Sequence, residues 1–151
     1  MKEALDSPPL RRRSLFVRYW LPVIVYVALI FTASSVPGRD IPSLFPGSDK
    51  LEHLCEYGLF GLLLGRAFRF TVGGDRGKLW SLATVLLGGF VGGMDELYQL
   101  VTPGRQSDIR DWVTDVTAVT LAVLFTQYVR LHPIGRPRER VAPAAPEKEP
   151  S

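Results

Sequence analysis

Three short stretches of a 151-residue chain hold nearly all the side chains able to do chemistry near its apolar runs. The first contains Asp49, Lys50, His53 and Tyr57, the second Asp95, Glu96 and Gln99, and the third Arg105, Asp108, Asp111 and Asp115. A carboxylate pair with a histidine can move protons or activate water, so His53, Glu96 and Asp95 are the catalytic candidates. Lys50 and Arg105 suit a phosphate or carboxylate, while the acids suit sugar hydroxyls or hold those bases in place. Candidate ligand-binding residues are therefore Lys50, His53, Tyr57, Asp95, Glu96, Gln99, Arg105, Asp108, Asp111 and Asp115. The chain has no G-x-S-x-G and no H-E-x-x-H. A metal would need His53 with Glu56, Asp95 or Asp115, a set that suits a hard ion better than zinc. On this reading neither a metal nor a cofactor is assigned.

Simpler roles compete for some of these residues. Asp49, Asp108 and Asp111 stand where a helix begins, and an acid there caps the helix or meets its dipole. A structural hydrogen bond would also explain His53. Capping explains Asp95 and Glu96 less well, because they are adjacent and lie inside an apolar boundary. Glu52, Arg66 and Arg69 read as solvated or interfacial charges.

The elements that must position these residues are helices. Segments of about 20 mostly apolar residues fit a membrane crossing, and four approach that length: 17–35, 51–70, 79–101 and 112–131. The second is the weakest, with Glu52, His53, Glu56, Arg66 and Arg69. The expected fold is all-α, a membrane bundle of four transmembrane helices. Residues 1–16 form a cytoplasmic N-terminal segment and 17–131 the membrane domain. Residues 132–151, rich in proline, alanine and charge, form a disordered cytoplasmic tail. The basic start and Ala33-Ser34-Ser35 resemble a signal peptide, but three further apolar segments favour an uncleaved first helix.

Lysine and arginine set the orientation. They gather at the N-terminal flank (Lys2, Arg11, Arg12, Arg13, Arg18), between the second and third segments (Arg66, Arg69, Arg76, Lys78) and at the C-terminal flank (Arg130, Arg136, Arg138, Arg140, Lys148). Both termini are then cytoplasmic, and all three chemical stretches meet at the outer face. Trp20, Trp80 and Trp112 lie near helix ends, as interfacial anchors should. The net charge of +3 forms no separate basic face, which argues against nucleic acid. Cys55 is the single cysteine, so no intrachain disulfide or cysteine-based zinc site can form, and it reads as a small buried residue.

Helical periodicity groups the candidates. Asp49, His53, Glu56, Tyr57 and Phe60 share one face. Asp95 and Gln99 share a face with Gly88 and Gly92, with Glu96 beside them. Asp111 and Asp115 share a face with Ala118 and Ala122. A charge network is expected from Lys50, His53, Asp95, Glu96, Gln99, Arg105, Asp108, Asp111 and Asp115. Glycines four apart (Gly61/Gly65, Gly88/Gly92, Gly89/Gly93) allow close helix approach and are compatible with a homo-oligomer.

The runs "SDKLEHLCEYGLFGLLLG" and "GGFVGGMDELYQLVTPGRQSDIRDWVTD" resemble the VanZ-like family of small bacterial membrane proteins. The shared pattern is Asp49-Lys50 with His53 and Tyr57, Asp95-Glu96 with Gln99, Pro103-Gly104-Arg105, then Asp108 and Asp111, within residues 17–129. The family tends to have Asn and Gly where this chain has Asp115 and Ala118. The resemblance implies a polytopic protein of the bacterial inner (plasma) membrane. The family is named after a protein linked to resistance to a glycopeptide antibiotic, teicoplanin. The expected function is binding or modulating a cell-envelope ligand, lipid-linked or glycopeptide-related, with membrane lipid and a lipid-linked cell-wall precursor or glycan as partners. An intramembrane carboxylate/histidine hydrolase or transferase acting on a lipid-linked substrate is the alternative. Whether the protein is an enzyme stays open at this point. A transporter fits less well, because no polar stripe continues through the inner halves of the helices.

Overall fold

A computed structural model describes residues 9–38, 45, 47–73 and 76–131, without the side chains of 9–12 and 131. The tail expected over 132–151 and residues 1–8 of the N-terminal segment lie outside the described residues. Among the described residues the protein is all-helical. Its four helices are α1 (Pro9–Ser34), α2 (Ser48–Val72), α3 (Gly77–Gln99) and α4 (Ile109–Leu131).

The expected segments appear as helices, with shifted ends. α1 begins at Pro9 rather than Val17. Proline is preset for a first helical turn and arginine is a good helix former, so the polar Arg11–Arg13 run extends the helix beyond its apolar part. α2 starts after Gly47, whose φ of 87° is a left-handed conformation that only glycine adopts cheaply.

The chain is turned inside out relative to a water-soluble bundle. Phe16, Leu21, Ile24, Leu29, Leu86 and Phe90 are exposed, whereas Asp95, Glu96, Gln99, Asp111 and Asp115 are buried. α1, α3 and α4 are each long and apolar enough to cross a membrane. An apolar exterior and a polar interior suit lipid as solvent and mark the chain as a membrane protein.

α2 is the central element and packs against the other three. His53, Tyr57, Phe60, Gly61, Leu64 and Ala67 face the interior at helical spacing. The glycines of α3 serve α4: Cβ atoms added at Gly88 and Gly92 would meet Val119 and Asp115, and at Gly89 and Gly93 Val116 and Trp112. Gly61 lies against Ala122 and the Val119 backbone, and Gly65 against Trp80 and Thr84. These close approaches are therefore made within the chain.

Several side chains depart from expectation. Trp80 is fully enclosed, with the Arg69 guanidinium over its ring, so it is a core residue rather than an interfacial anchor. Trp20 donates to Thr71 Oγ1 and Trp112 to the Gly89 carbonyl, each at 2.9 Å, so both lock helices together. Arg66 is not simply solvated: it donates to the Arg18 carbonyl and sits over the Tyr19 ring. Cys55 is exposed, because it falls on the side of α2 away from His53 and Tyr57.

The end of the bundle that carries the acids is closed by backbone contacts. The Gly38 N–H donates to the Pro103 carbonyl at 3.1 Å. A Cβ at Gly38 would fall 1.8 Å from the Gly104 carbonyl oxygen, so only glycine fits. The Ser35 and Tyr98 hydroxyls share a hydrogen bond at 3.0 Å, which ties the end of α1 to the end of α3.

Candidate functional site

The three chemical stretches converge at this closed end, and the expected network resolves into distinct groups. At the mouth, Lys50 Nζ lies 2.8 Å from Asp111 Oδ1, 3.1 Å from Asp49 Oδ2 and 3.9 Å from Asp108 Oδ2. Asp111 is buried while Lys50 and Asp49 remain partly exposed. Hydrogen bonds from Lys50 hold the Asp49 carboxyl below its ordinary range, and acceptance by Asp111 and then Asp49 raises the Lys50 ammonium above its own. Asp49 is not the N-cap, which is Gly47, but it stands in the first turn of α2, where an acid meets the helix dipole.

Asp108 does cap α4. Its Oδ1 accepts from the Arg110 N–H at 2.8 Å, and its carbonyl accepts from the Asp111 and Trp112 N–H groups. That leaves the Asp108 N–H to be satisfied from elsewhere. Glu96 does so from α3: its Oε2 accepts from the Asp108 N–H at 2.9 Å and from the Ser107 hydroxyl at 3.0 Å. Ser107 was absent from the sequence-based candidates. It lies in an irregular loop, where helical periodicity carries no information.

Deeper inside, His53 Nδ1 lies 2.9 Å from Asp115 Oδ1, joining α2 to α4. Tyr57 stacks against His53, with ring centroids 6.3 Å apart and planes within 9°. Gln99 Nε2 donates to Asp95 Oδ2 at 3.2 Å, one turn apart on α3. Arg105 stands apart: it is half-buried and forms no ion pair among the described residues.

Polar atoms in this region outnumber their partners. Asp95 Oδ1, Glu96 Oε1, Asp115 Oδ2, Tyr57 OH and Arg105 Nε are all buried without a hydrogen bond. Such groups are scarce in folded proteins, because each costs about 1–3 kcal/mol when left unpaired. Their concentration here makes this end of the bundle the candidate site. Beside it lies a cavity of about 350 Å³ lined by Gly93, Glu96, Leu97, Ser107, Ile109 and Trp112. Its walls are mixed, with a carboxylate and a hydroxyl against apolar and aromatic surface.

His53, Glu96 and Asp115 also bring one potential ligand atom each to within 4.8 Å of one another. Of the partners for His53 considered from sequence, Asp115 is the one in this group, and Glu96 joins it in place of Glu56 or Asp95. Compared with known proteins, the chain matches no family model, no curated protein and no solved structure.

Proposed function

We propose that the protein is a multi-pass protein of a bacterial inner (plasma) membrane, of the VanZ-like kind, that binds or modulates a lipid-linked cell-envelope ligand at its outer face. All four helices cross and both termini are cytoplasmic. Two features support a crossing by α2. The run from Gly58 to Gly65 carries no charge, and His53 and Tyr57 turn inward. The lysine and arginine distribution supports the orientation.

The cavity beside Glu96 carries the reading. An amphiphile needs an apolar wall for its chain and polar groups for its head, and this cavity offers both at a helix end. Glu96 and Ser107 can bond sugar hydroxyls, while Lys50 and Arg105 can meet phosphate. A lipid-linked precursor carrying a photoreactive isoprenyl chain tests the idea. Wild-type protein should crosslink to it. Arg105→Ala should abolish crosslinking, and so should Gly93→Leu, which fills the cavity where a Cβ meets nothing closer than 3.5 Å. Unchanged crosslinking in both variants sinks the proposal.

The second reading, an intramembrane hydrolase or transferase, is favoured by one observation. The His53–Asp115 bond fixes one ring nitrogen and leaves the other as a proton acceptor for an attacking water. Release of a labelled head group by the wild type, lost in His53→Ala, would select that reading over simple binding.

A further inference from the structure

Beyond the binding of an envelope ligand, we propose that His53, Glu96 and Asp115 form a divalent-cation site, with manganese or zinc as the fitting ions. One ligand comes from each of α2, α3 and α4, so the ion would also pin the three helices together. The potential ligand atoms lie within 4.8 Å of one another. Neighbouring atoms bound to a single such ion at about 2.0–2.3 Å stand about 3–4 Å apart, so side-chain adjustments of up to about an ångström complete the site.

The surrounding bonds prepare these residues as ligands. Glu96 Oε2 is held by the Ser107 hydroxyl and the Asp108 N–H, which leaves Oε1 buried and unpartnered. Asp115 Oδ2 is buried and unpartnered, and the proton that Asp115 Oδ1 shares with His53 Nδ1 would leave when both groups ligate. Asp115 is 0% exposed and Glu96 5%, so water does not readily satisfy either oxygen. Outer contacts that fix one carboxylate oxygen and free the other are what metal sites use to orient their ligands. Gly92 keeps the space open: a Cβ there would stand 3.0 Å from Asp115 Oδ2 and 3.4 Å from the Tyr57 ring.

Charge supports the same conclusion. Asp95, Glu96, Asp111 and Asp115 are buried together; Lys50 is engaged with Asp111, Asp49 and Asp108, and among the described residues Asp115 has only His53 as a salt-bridge partner. A neutral imidazole with two carboxylates leaves a local charge that a dication cancels. An imidazole beside two carboxylates admits zinc as well as the hard ion expected from sequence, and among hard ions it favours manganese over magnesium and calcium; the absence of thiolate disfavours copper(I). Because Glu96 also lines the cavity, a bound ion would stand where a ligand head group arrives.

The test needs no envelope ligand, so it stands or falls separately from the function above. Detergent-purified protein, stripped with chelator, is titrated with Mn²⁺, Zn²⁺ and Mg²⁺ by calorimetry, with Mn²⁺ followed also by its paramagnetic resonance. The expected result is one Mn²⁺ or Zn²⁺ per chain, with affinity falling at least about tenfold in His53→Gln and Asp115→Asn. Glu96→Gln keeps an acceptor for Ser107 and Asp108, so it serves as the ligand variant least disposed to misfold. Helicity and elution volume confirm the fold of each. No binding by the wild type, equal binding in all variants, or binding of Mg²⁺ alone overturns the assignment.

Discussion

Asp108 and Asp111, three residues apart, look alike in sequence and do different work. Asp108 caps α4 through the Arg110 N–H, whereas Asp111 is buried and takes the shortest bond from Lys50. The distance from Asp108 to Lys50, 3.9 Å, is long for a strong ion pair. Asp108→Asn should therefore be nearly neutral, because asparagine caps as well as aspartate, while Asp108→Ala should cost about 1 kcal/mol. Unfolding of the detergent-solubilised protein measures both. Equal losses would instead assign Asp108 to the charge network. Most residues at this end were legible because helical spacing alone puts Asp95 with Gln99, and Asp111 with Asp115, on shared faces. Ser107 was not, because loop geometry decides where it goes, and the same geometry leaves Arg105 without the ion pair expected of it among the described residues. Trp80 misled for another reason. Position near a helix end suggests an anchor, but neighbours decide burial, and Gly65 leaves room for its ring.

At the scale of helices, glycine spacing predicted close approach without naming the partner. The structure assigns it: Gly88 and Gly61 both lie against Val119 of α4, from opposite helices. The two contacts differ in kind, which gives a sharp test. A Cβ at Gly88 would come within 2.8 Å of the Val119 side chain. A Cβ at Gly61 would come within 2.9 Å of the Val119 Cα, part of the backbone. Each glycine-to-alanine change should destabilise by about 1–3 kcal/mol through overpacking. Adding Val119→Ala should restore much of the loss in Gly88→Ala and little in Gly61→Ala, since trimming a side chain does not move a Cα. A double-mutant cycle on thermal unfolding in detergent reads the difference. Equal rescue would mean that the helices shift bodily to accommodate either change. α2 shows the limit of hydropathy at this scale. Its charges lower its apolar score, yet it is the helix that packs against all the others, because its polar stripe faces inward.

For the whole molecule, the arrangement of surfaces explains why a charged site can exist in lipid. Large apolar side chains cover α1, α3 and α4, and the carboxylates are drawn inside, where α2 supplies partners to Asp111 and Asp115. Composition alone shows the apolar share; which face each side chain takes emerges only when helices pack. Two facts bear on whether α2 crosses. Its two ends contact opposite ends of its neighbours: Lys50 meets Asp111 at the start of α4, and Thr71 meets Trp20 near the start of α1. A helix of 25 residues running between them is about 37 Å long, enough to span the hydrocarbon core. Single-cysteine labelling in a Cys55→Ser background tests the resulting topology. Gln106→Cys, between α3 and α4, should react with a membrane-impermeant maleimide in intact cells, and Arg76→Cys, between α2 and α3, only after permeabilisation. If the whole bundle were inserted the other way round, the two loops would exchange sides, with residue 76 labelled outside and residue 106 protected. That result would place the carboxylate site in the cytoplasm and remove the outer-leaflet ligand from consideration, while leaving the cation site of His53, Glu96 and Asp115 untouched.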